Sequence, residues 1–493
     1  MESLADTLWD VVICGTGLQQ SLLALALSRS DKKILHIDPH SFYGGGEAAF
    51  SLQEAESWVG EVAAGTEGSF TDASITKPDG STGLSFPRAY SLALAPQMIH
   101  ARSELLSQLV SSRAYRQVEF LAVGSFFIFK PSTDPSQKPE LVRIPSTREA
   151  VFATTAITSK AKRGLMKFLK FVMDYNSETR SETWKPYADV PLTEFLFKEF
   201  KMDQELQTYI ITLTLSLDGK ISTRDGLAAI SRHLSSMGVY GVGFAALYPK
   251  WGGLSEIAQV SCRAGAVGGT VYMLGTGIKE MNTIEDTIEL QLTSGDTIKT
   301  KKLVKGDQGF PGVGISRLVA VINSPLKSLF EPTVEGAPIP AVAALAFPPG
   351  LLSDADGKVS ENPTYLFAHS SDTGECPSGQ SVLYLTTQYA PGSMVLLQKA
   401  LDFFLEAAAD DSTPKCLYQL RYDQRGSDET PASKDASVFH LQSPSPSLAF
   451  NDSALESVRE AWKAVMGDTA VDAEYMTFTD REGAMGDDDD VYD

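Results

Sequence analysis

The sequence predicts an α/β fold built on a Rossmann-type dinucleotide-binding unit, with an all-helical second domain inserted into it. Three observations lead there. A strand, a glycine loop, a helix and a second strand open the chain within residues 10–38. Strand-like alternation stops near residue 148, and helical periodicity holds until about 236. Short strands and turns then return. At 493 residues the chain is also longer than one compact core sustains. The expected division is a discontinuous α/β domain over 1–147 and 237–473, a helical domain over 148–236, and an acidic tail over 474–493 expected to be disordered.

The elements follow in order. DVVIC at 10–14 is a short β-branched run and reads as a buried strand. Gly15-Thr16-Gly17 turns the chain into an apolar helix reaching Ser28, and KILHID at 33–38 is the next strand. Residues 60–84 are rich in Gly, Ser, Thr and Asp and read as a surface loop. Residues 96–112 read as a helix started by Pro96. Helical spacing recurs at Leu165, Phe168, Leu169 and Val172, at Leu192, Phe195 and Leu196, and at Leu206, Tyr209, Ile210 and Leu213. Strands are expected at 270–274, 288–292, 302–306, 342–347 and 381–387, and a last helix at 454–466.

Composition narrows the chemistry. The formal charge is −20, which disfavours adhesion to nucleic acid or anionic membrane by charge. The acidity is uneven: residues 401–493 hold 21 acids and 7 bases, whereas 148–232 hold 11 acids and 13 bases. Cys14, Cys262, Cys376 and Cys416 are far apart and make neither a zinc-site spacing nor a disulfide framework. A reducing cytoplasmic setting is the expectation, and no apolar run approaches the ~18 residues of a membrane span. The six histidines are scattered, and no HExxH, GxSxG or GxxxxGK[ST] motif is present, so neither a metal centre nor catalytic residues are expected.

The glycine loop is degenerate. A dinucleotide site wants GxGxxG, with the last Gly packing helix on strand. Gly15 and Gly17 are present, but Gln20 holds the third position, and Asp38 closes the second strand where a ribose-binding acid would sit. Gln20 is expected to push the helix off the strand and to intrude on the phosphate position. No cofactor is therefore expected.

Four separated stretches resemble one family, the Rab GDP-dissociation inhibitor and Rab escort protein superfamily. They are VVICGTGLQQSLLALALSRSDKKILHIDPHSFYGGGEAAFSL at 11–52, the spacing of Leu94, Pro96, Leu105, Leu106, Arg116 and Phe120, GSFFIF with VRIPSTREAVF over 124–152, and MGVYGVGFAALYPKWGGLSEIAQVSCRAGAVGGTVYML at 237–274. The resemblance departs at Ala93, where an acid is usual. It implies an FAD-like, GDI-like fold without flavin, and a platform for GDP-bound Rab GTPases involving Tyr43, Arg116, Glu256, Gln259 and Arg263. The spacing of Glu256, Gln259 and Arg263 independently places them along one helical face. Such a row can read a polar partner with directional bonds.

Within the superfamily the escort branch docks Rab geranylgeranyltransferase through a Phe and an Arg eleven residues apart. Phe152 and Arg163 have that separation here, in VFATTAITSKAKRGLMKFLKF. An exposed ring and a guanidinium make a sensible interface anchor. The escort branch is favoured: a carrier that presents Rab GTPases for prenylation, does no bond chemistry itself, and delivers them in transient contact with membrane. A recycling GDP-dissociation inhibitor is the alternative, and a flavin-dependent oxidoreductase the third. A carrier needs an apolar slot for a geranylgeranyl chain, each CH₂ being worth about 0.8 kcal/mol of transfer. Leu165, Phe168, Leu169, Val172, Tyr209, Ile210 and Leu213 are its candidate lining, in a slot opened between helices.

Overall fold

The structure, a computed structural model, describes residues 4–65, 68–78, 83–132, 134, 137–145, 159–306, 310, 312–332, 334–409, 413–426, 437–443 and 445–479. Its helices, in chain order, are α1 (Leu18–Leu27), α2 (Leu52–Ala63), α3 (Glu104–Ser111), α4 (Ser159–Val172), α5 (Glu178–Trp184), α6 (Leu192–Phe200), α7 (Gln204–Thr214), α8 (Thr223–Ser236), α9 (Leu254–Val267), α10 (Ser393–Ala407) and α11 (Ser453–Met466).

The opening unit is as the periodicity predicts. Val11–Cys14 and Ile34–Asp38 pair in parallel at the centre of a five-stranded parallel sheet. Val271–Leu274 flanks them on one side, and Leu303–Gly306 and Val438–Leu441 on the other. Successive side chains of a strand point to opposite faces, so Val11, Ile13 and Ile34 join one core and Val12, Leu35 and Ile37 another. The first is covered by α1, α9 and α11, through Leu22, Leu23, Ile257, Val458 and Trp462. The second is covered by the antiparallel strands Ile278–Ile284, Thr287–Leu292 and Thr297–Thr300. There Ile288, Leu290 and Leu292 alternate inward, which is the pattern a half-buried meander requires.

A ten-stranded mixed sheet forms the second layer. α10 packs Leu397, Leu401 and Phe404 on one of its faces. The helices α4–α8 pack on the other. One apolar cluster runs from Phe168, Phe195 and Leu206 to Val123, Ile128 and Phe367, so the helices share their core with the sheet. Polar caps start several of these helices. Asp203 accepts from the Leu206 amide at 3.0 Å, and Ser222 from the Asp225 amide at 3.1 Å.

Three local expectations are corrected. Residues 60–84 are not all loop: Phe70–Thr76 is a strand that pairs with Cys416–Gln424. Residues 96–112 do not begin as a helix. Ile99–His100 is a strand, and α3 starts only after Ser103, whose Oγ accepts from the Leu105 amide at 3.3 Å. The acidic stretch from 474 does not begin as a tail either. Tyr475, Met476 and Phe478 are buried against the α1–α11 core, and the Phe478 amide donates to the Ser111 carbonyl at 3.0 Å. The apolar Tyr475, Met476 and Phe478 outweigh the local charge there. Residues 480–493 lie outside the described residues.

Candidate functional site

The glycine loop is filled by side chains of the chain itself. Gly15 has φ +95° and makes the turn. Contrary to expectation, Gln20 does not lever α1 away from the sheet, since Leu22 and Leu23 remain fully buried. Its side chain lies across the loop instead. A Cβ at Gly306 would sit 2.2 Å from Gln20 Nε2, and one at Gly17 would sit 2.9 Å from Gln20 Oε1. Glu47 places Oε2 3.1 Å from the Leu18 amide, at the helix N-terminus where a phosphate would be received. Asp38 accepts from the Thr16 amide at 2.5 Å, from Thr16 Oγ1 at 2.7 Å and from the His40 amide at 2.8 Å. Burial pushes its pKa up, but the bonds from His40 and Thr16 together outweigh this and hold it below the usual carboxylate range. The groups that would bind diphosphate and ribose are thus occupied by side chains of the chain itself, and a dinucleotide does not fit.

Helix α9 carries the second candidate. Leu254, Ile257, Ala258, Val260 and Cys262 face the core, leaving Glu256, Gln259 and Arg263 on the outer face, with Arg263 exposed. Burial raises the Glu256 carboxyl pKa, against the opposing pull of Arg263. Gln259 Nε2 donates to Ser255 Oγ at 3.2 Å. Tyr43 lies beside the strand that follows this helix, its ring centroid 6.3 Å from that of Tyr272, and its phenol pKa is raised by burial, by the nearby Cys262 of α9 and by Asp38. Arg116 is exposed on the turn Ala114–Gln117, which packs against α9. The five residues therefore gather around one helix. A carboxylate, an amide, a phenol and two guanidiniums there can bond a polar protein surface.

The third candidate is a cavity of about 810 Å³ beneath α4, α7 and α8. Leu165, Phe168, Leu169, Tyr209, Ile210 and Leu213 line it. Val172, the seventh residue expected, does not. The row 165–169–173 faces the cavity, whereas Phe171 and Val172 turn into the helical core, with Phe171 5.9 Å from Phe195 and 5.4 Å from Phe200 between ring centroids. A second correction concerns the walls. The cavity does not lie between helices alone: Val123, Phe126, Ile144 and Phe244 close it from the sheet side, and Met237 from the end of α8. Sequence reasoning missed these, although GSFFIF and GVGFA carry the apolar signal. His233 lines the cavity, its ring 5.7 Å from His100 and 5.3 Å from Phe126. Burial lowers the pKa of His233 to about 4 and, with help from His233 and Arg232, that of His100 to about 3. Both are therefore neutral at ordinary pH. A volume of this size with apolar walls suits a hydrocarbon chain.

Of the expected docking pair, Arg163 is exposed on α4, and Phe152 lies outside the described residues. Among the described residues no group of three His, Cys, Asp or Glu is placed to hold a metal. Among them, too, no helix is long and apolar enough to cross a membrane.

The sequence profile of a family described as GDP dissociation inhibitor matches residues 5–329. Rab proteins geranylgeranyltransferase component A of Candida albicans is 30% identical over 77% of this chain and 59% of its own length. The Saccharomyces cerevisiae protein of the same description is 30% identical over 80% of this chain and 64% of its own. The S. cerevisiae Rab GDP-dissociation inhibitor is 25% identical over 65% of this chain and 69% of its own. The chain thus spans about three fifths of the length of the two component A relatives. A Rab GDI crystal structure from Plasmodium falciparum aligns with TM-score 0.66 at 17% identity, covering 94% of this chain and 99% of that one. An oxidoreductase from Methanosarcina mazei aligns with TM-score 0.55 at 10% identity, covering 95% and 97%. At these identities the structural matches establish the α/β fold alone.

Proposed function

Because the chain belongs to the GDP dissociation inhibitor family, we propose that it is an escort protein for Rab GTPases. It binds a newly made GDP-bound Rab, presents it to Rab geranylgeranyltransferase, and carries the prenylated product to membrane. The observation that carries this reading is the pattern of similarity. The component A relatives match at 30% identity over 77% and 80% of the chain, the GDP-dissociation inhibitor at 25% over 65%.

In this reading the outer face of α9 grips the GTPase through Glu256, Gln259 and Arg263, with Tyr43 and Arg116 beside them. The chain supplies no bond chemistry. Phe152 and Arg163 dock the transferase, Arg163 as an exposed guanidinium on α4. The cavity under α4, α7 and α8 takes the geranylgeranyl chain. Each CH₂ moved from water into it contributes about 0.8 kcal/mol, enough over a long isoprenoid to keep the modified GTPase in solution. The near-neutral charge of residues 148–232 lets this region approach lipid, while the acidic end contributes no adhesion to anionic membrane.

The family profile also favours a second reading, a recycling inhibitor that extracts prenylated Rabs. One experiment separates the two. In a reconstituted prenylation assay, Phe152→Ala and Arg163→Ala are expected to abolish modification of a Rab while binding of the GDP-bound Rab stays intact. Normal prenylation by both variants would leave the recycling inhibitor as the better account.

A further inference from the structure

The turn that launches α9 holds three successive residues in the left-handed region. Trp251, Gly252 and Gly253 have φ of +71°, +113° and +67°. The glycines are required: a Cβ at Gly252 would lie 2.4 Å from Ala49 Cβ, and one at Gly253 would lie 2.7 Å from Tyr248 Oη. Trp251 has no such excuse. A bulky residue in the left-handed region is strained, and strain of this kind persists only where surrounding contacts impose it. Its indole is nonetheless 52% exposed.

The contacts that impose it come from behind. The Trp251 amide donates to the Thr373 carbonyl at 2.8 Å, and the Trp251 carbonyl accepts from Ser91 Oγ at 2.9 Å. The indole rests on Gly374, where a Cβ would lie 2.3 Å from the ring. Next in sequence is Glu375, a fully buried carboxylate. Tyr248 Oη donates to its Oε1 at 2.6 Å, Tyr384 Oη donates to its Oε2 at 2.9 Å, and His369 Nδ1 lies 2.7 Å from that same oxygen. The Glu375 carbonyl accepts from the Ser91 amide at 3.1 Å, and Tyr384 Oη from the Ala93 amide at 3.1 Å. The Glu375 side chain thus ties the strands Ala246–Pro249, Thr364–Ser370 and Ser381–Gln388 to the back of the turn, and its carbonyl and Tyr384 tie in the segment 91–93. A buried side chain bonded this completely holds its surroundings in one arrangement.

We infer that Trp251 is an additional anchor for the GDP-bound GTPase and that Glu375 is the positioning residue that holds it in place. This deepens the reading proposed above and rests on it. The turn is continuous with the face that reading assigns: Trp251 stands at the N-terminal end of α9, and the loop carrying Tyr43 closes on the same end. There a Cβ at Gly44 would lie 3.4 Å from Ser255 Oγ. A rigidly held, half-exposed indole beside a row of carboxylate, amide and guanidinium matches the composition of interface hot spots.

The test is the affinity of the full chain for a GDP-loaded, unprenylated Rab, measured with Trp251→Ala, Trp251→Phe, Glu375→Gln, the Trp251→Ala/Glu375→Gln double variant and Arg263→Ala. Trp251→Ala is expected to lose at least tenfold in affinity with an unchanged melting temperature, and Trp251→Phe to recover most of it. Glu375→Gln is expected to weaken binding, and the double variant to bind no worse than Trp251→Ala, because Glu375 acts through Trp251. Wild-type affinity for Trp251→Ala, or additive losses in the double variant, would overturn the inference. The exposed Trp251→Ala variant decides the matter even where Glu375→Gln fails to fold. If Arg263→Ala loses affinity and Trp251→Ala does not, this inference alone falls. If the wild-type chain does not bind the GTPase, the functional reading falls and takes the inference with it.

Discussion

Gln20 is tolerated at the third position of the glycine loop because Gly306, on the neighbouring parallel strand, has no Cβ to meet it. The pair shows how a nucleotide loop can be closed from within: an amide lies across the turn, Glu47 caps the helix, and Asp38 is bonded to Thr16 and His40. The histidines of the cavity region carry a prediction at the same scale. The folded pKa values of His233 and His100 are lowered, so between the ordinary value near 6.5 and about 4 the unfolded chain binds more protons than the folded one. Stability is therefore complete above the unfolded value and falls as pH drops through this window. Replacing His233 by Leu should make the acid-side slope shallower by about 1 kcal/mol per pH unit, as read from urea melts between pH 6 and pH 4.5. An unchanged slope would mean that His233 is already protonated in the folded protein.

Among the elements, α4 has the most divided role. Its Leu165 and Leu169 side, continued by Met173 just past its end, lines the cavity, Phe171 and Val172 join the helical core, and Arg163 points outward. Periodicity marked the helix and its apolar positions correctly, but it could not separate lining from core. On a helix the two stripes are neighbours, and which one meets empty space depends on what packs opposite. A bulkier lining residue tests the cavity's role. Leu169→Trp should weaken binding of a geranylgeranylated Rab at least tenfold while leaving the unmodified Rab unaffected, as measured by fluorescence titration of both forms. Equal effects on the two would place the lipid elsewhere. α9 was simpler to read, since its buried and outer positions alternate with plain helical spacing from Leu254 onward.

For the whole molecule, the sheets and the helical layer are joined through shared cores, and the chain's last described segment is part of that joinery. Phe478 packs against the core of α1 and α11 with the Arg29 guanidinium 5.4 Å from its ring centroid, and its amide bonds to the end of α3. Ending the chain after 479 should leave the melting temperature unchanged, whereas Phe478→Ala should cost about 2–3 kcal/mol, less than a fully enclosed Phe, in thermal or denaturant melts. No loss in the Phe478→Ala variant would mean that the segment is not held.

Local signals were enough to read the βαβ opening, the helical stretch, the damaged loop and the polar row on α9. Each is set by residues a few positions apart whose backbone spacing is fixed by helix or strand geometry. Other features needed the folded chain. The sheet-side wall of the cavity, the Gly306 that accommodates Gln20, and the Glu375 network behind Trp251 all join residues from separate elements of the chain, 286 positions apart for Gln20 and Gly306 and 127 for Tyr248 and Glu375. Their proximity depends on sheet order and long-range packing, which no local periodicity encodes.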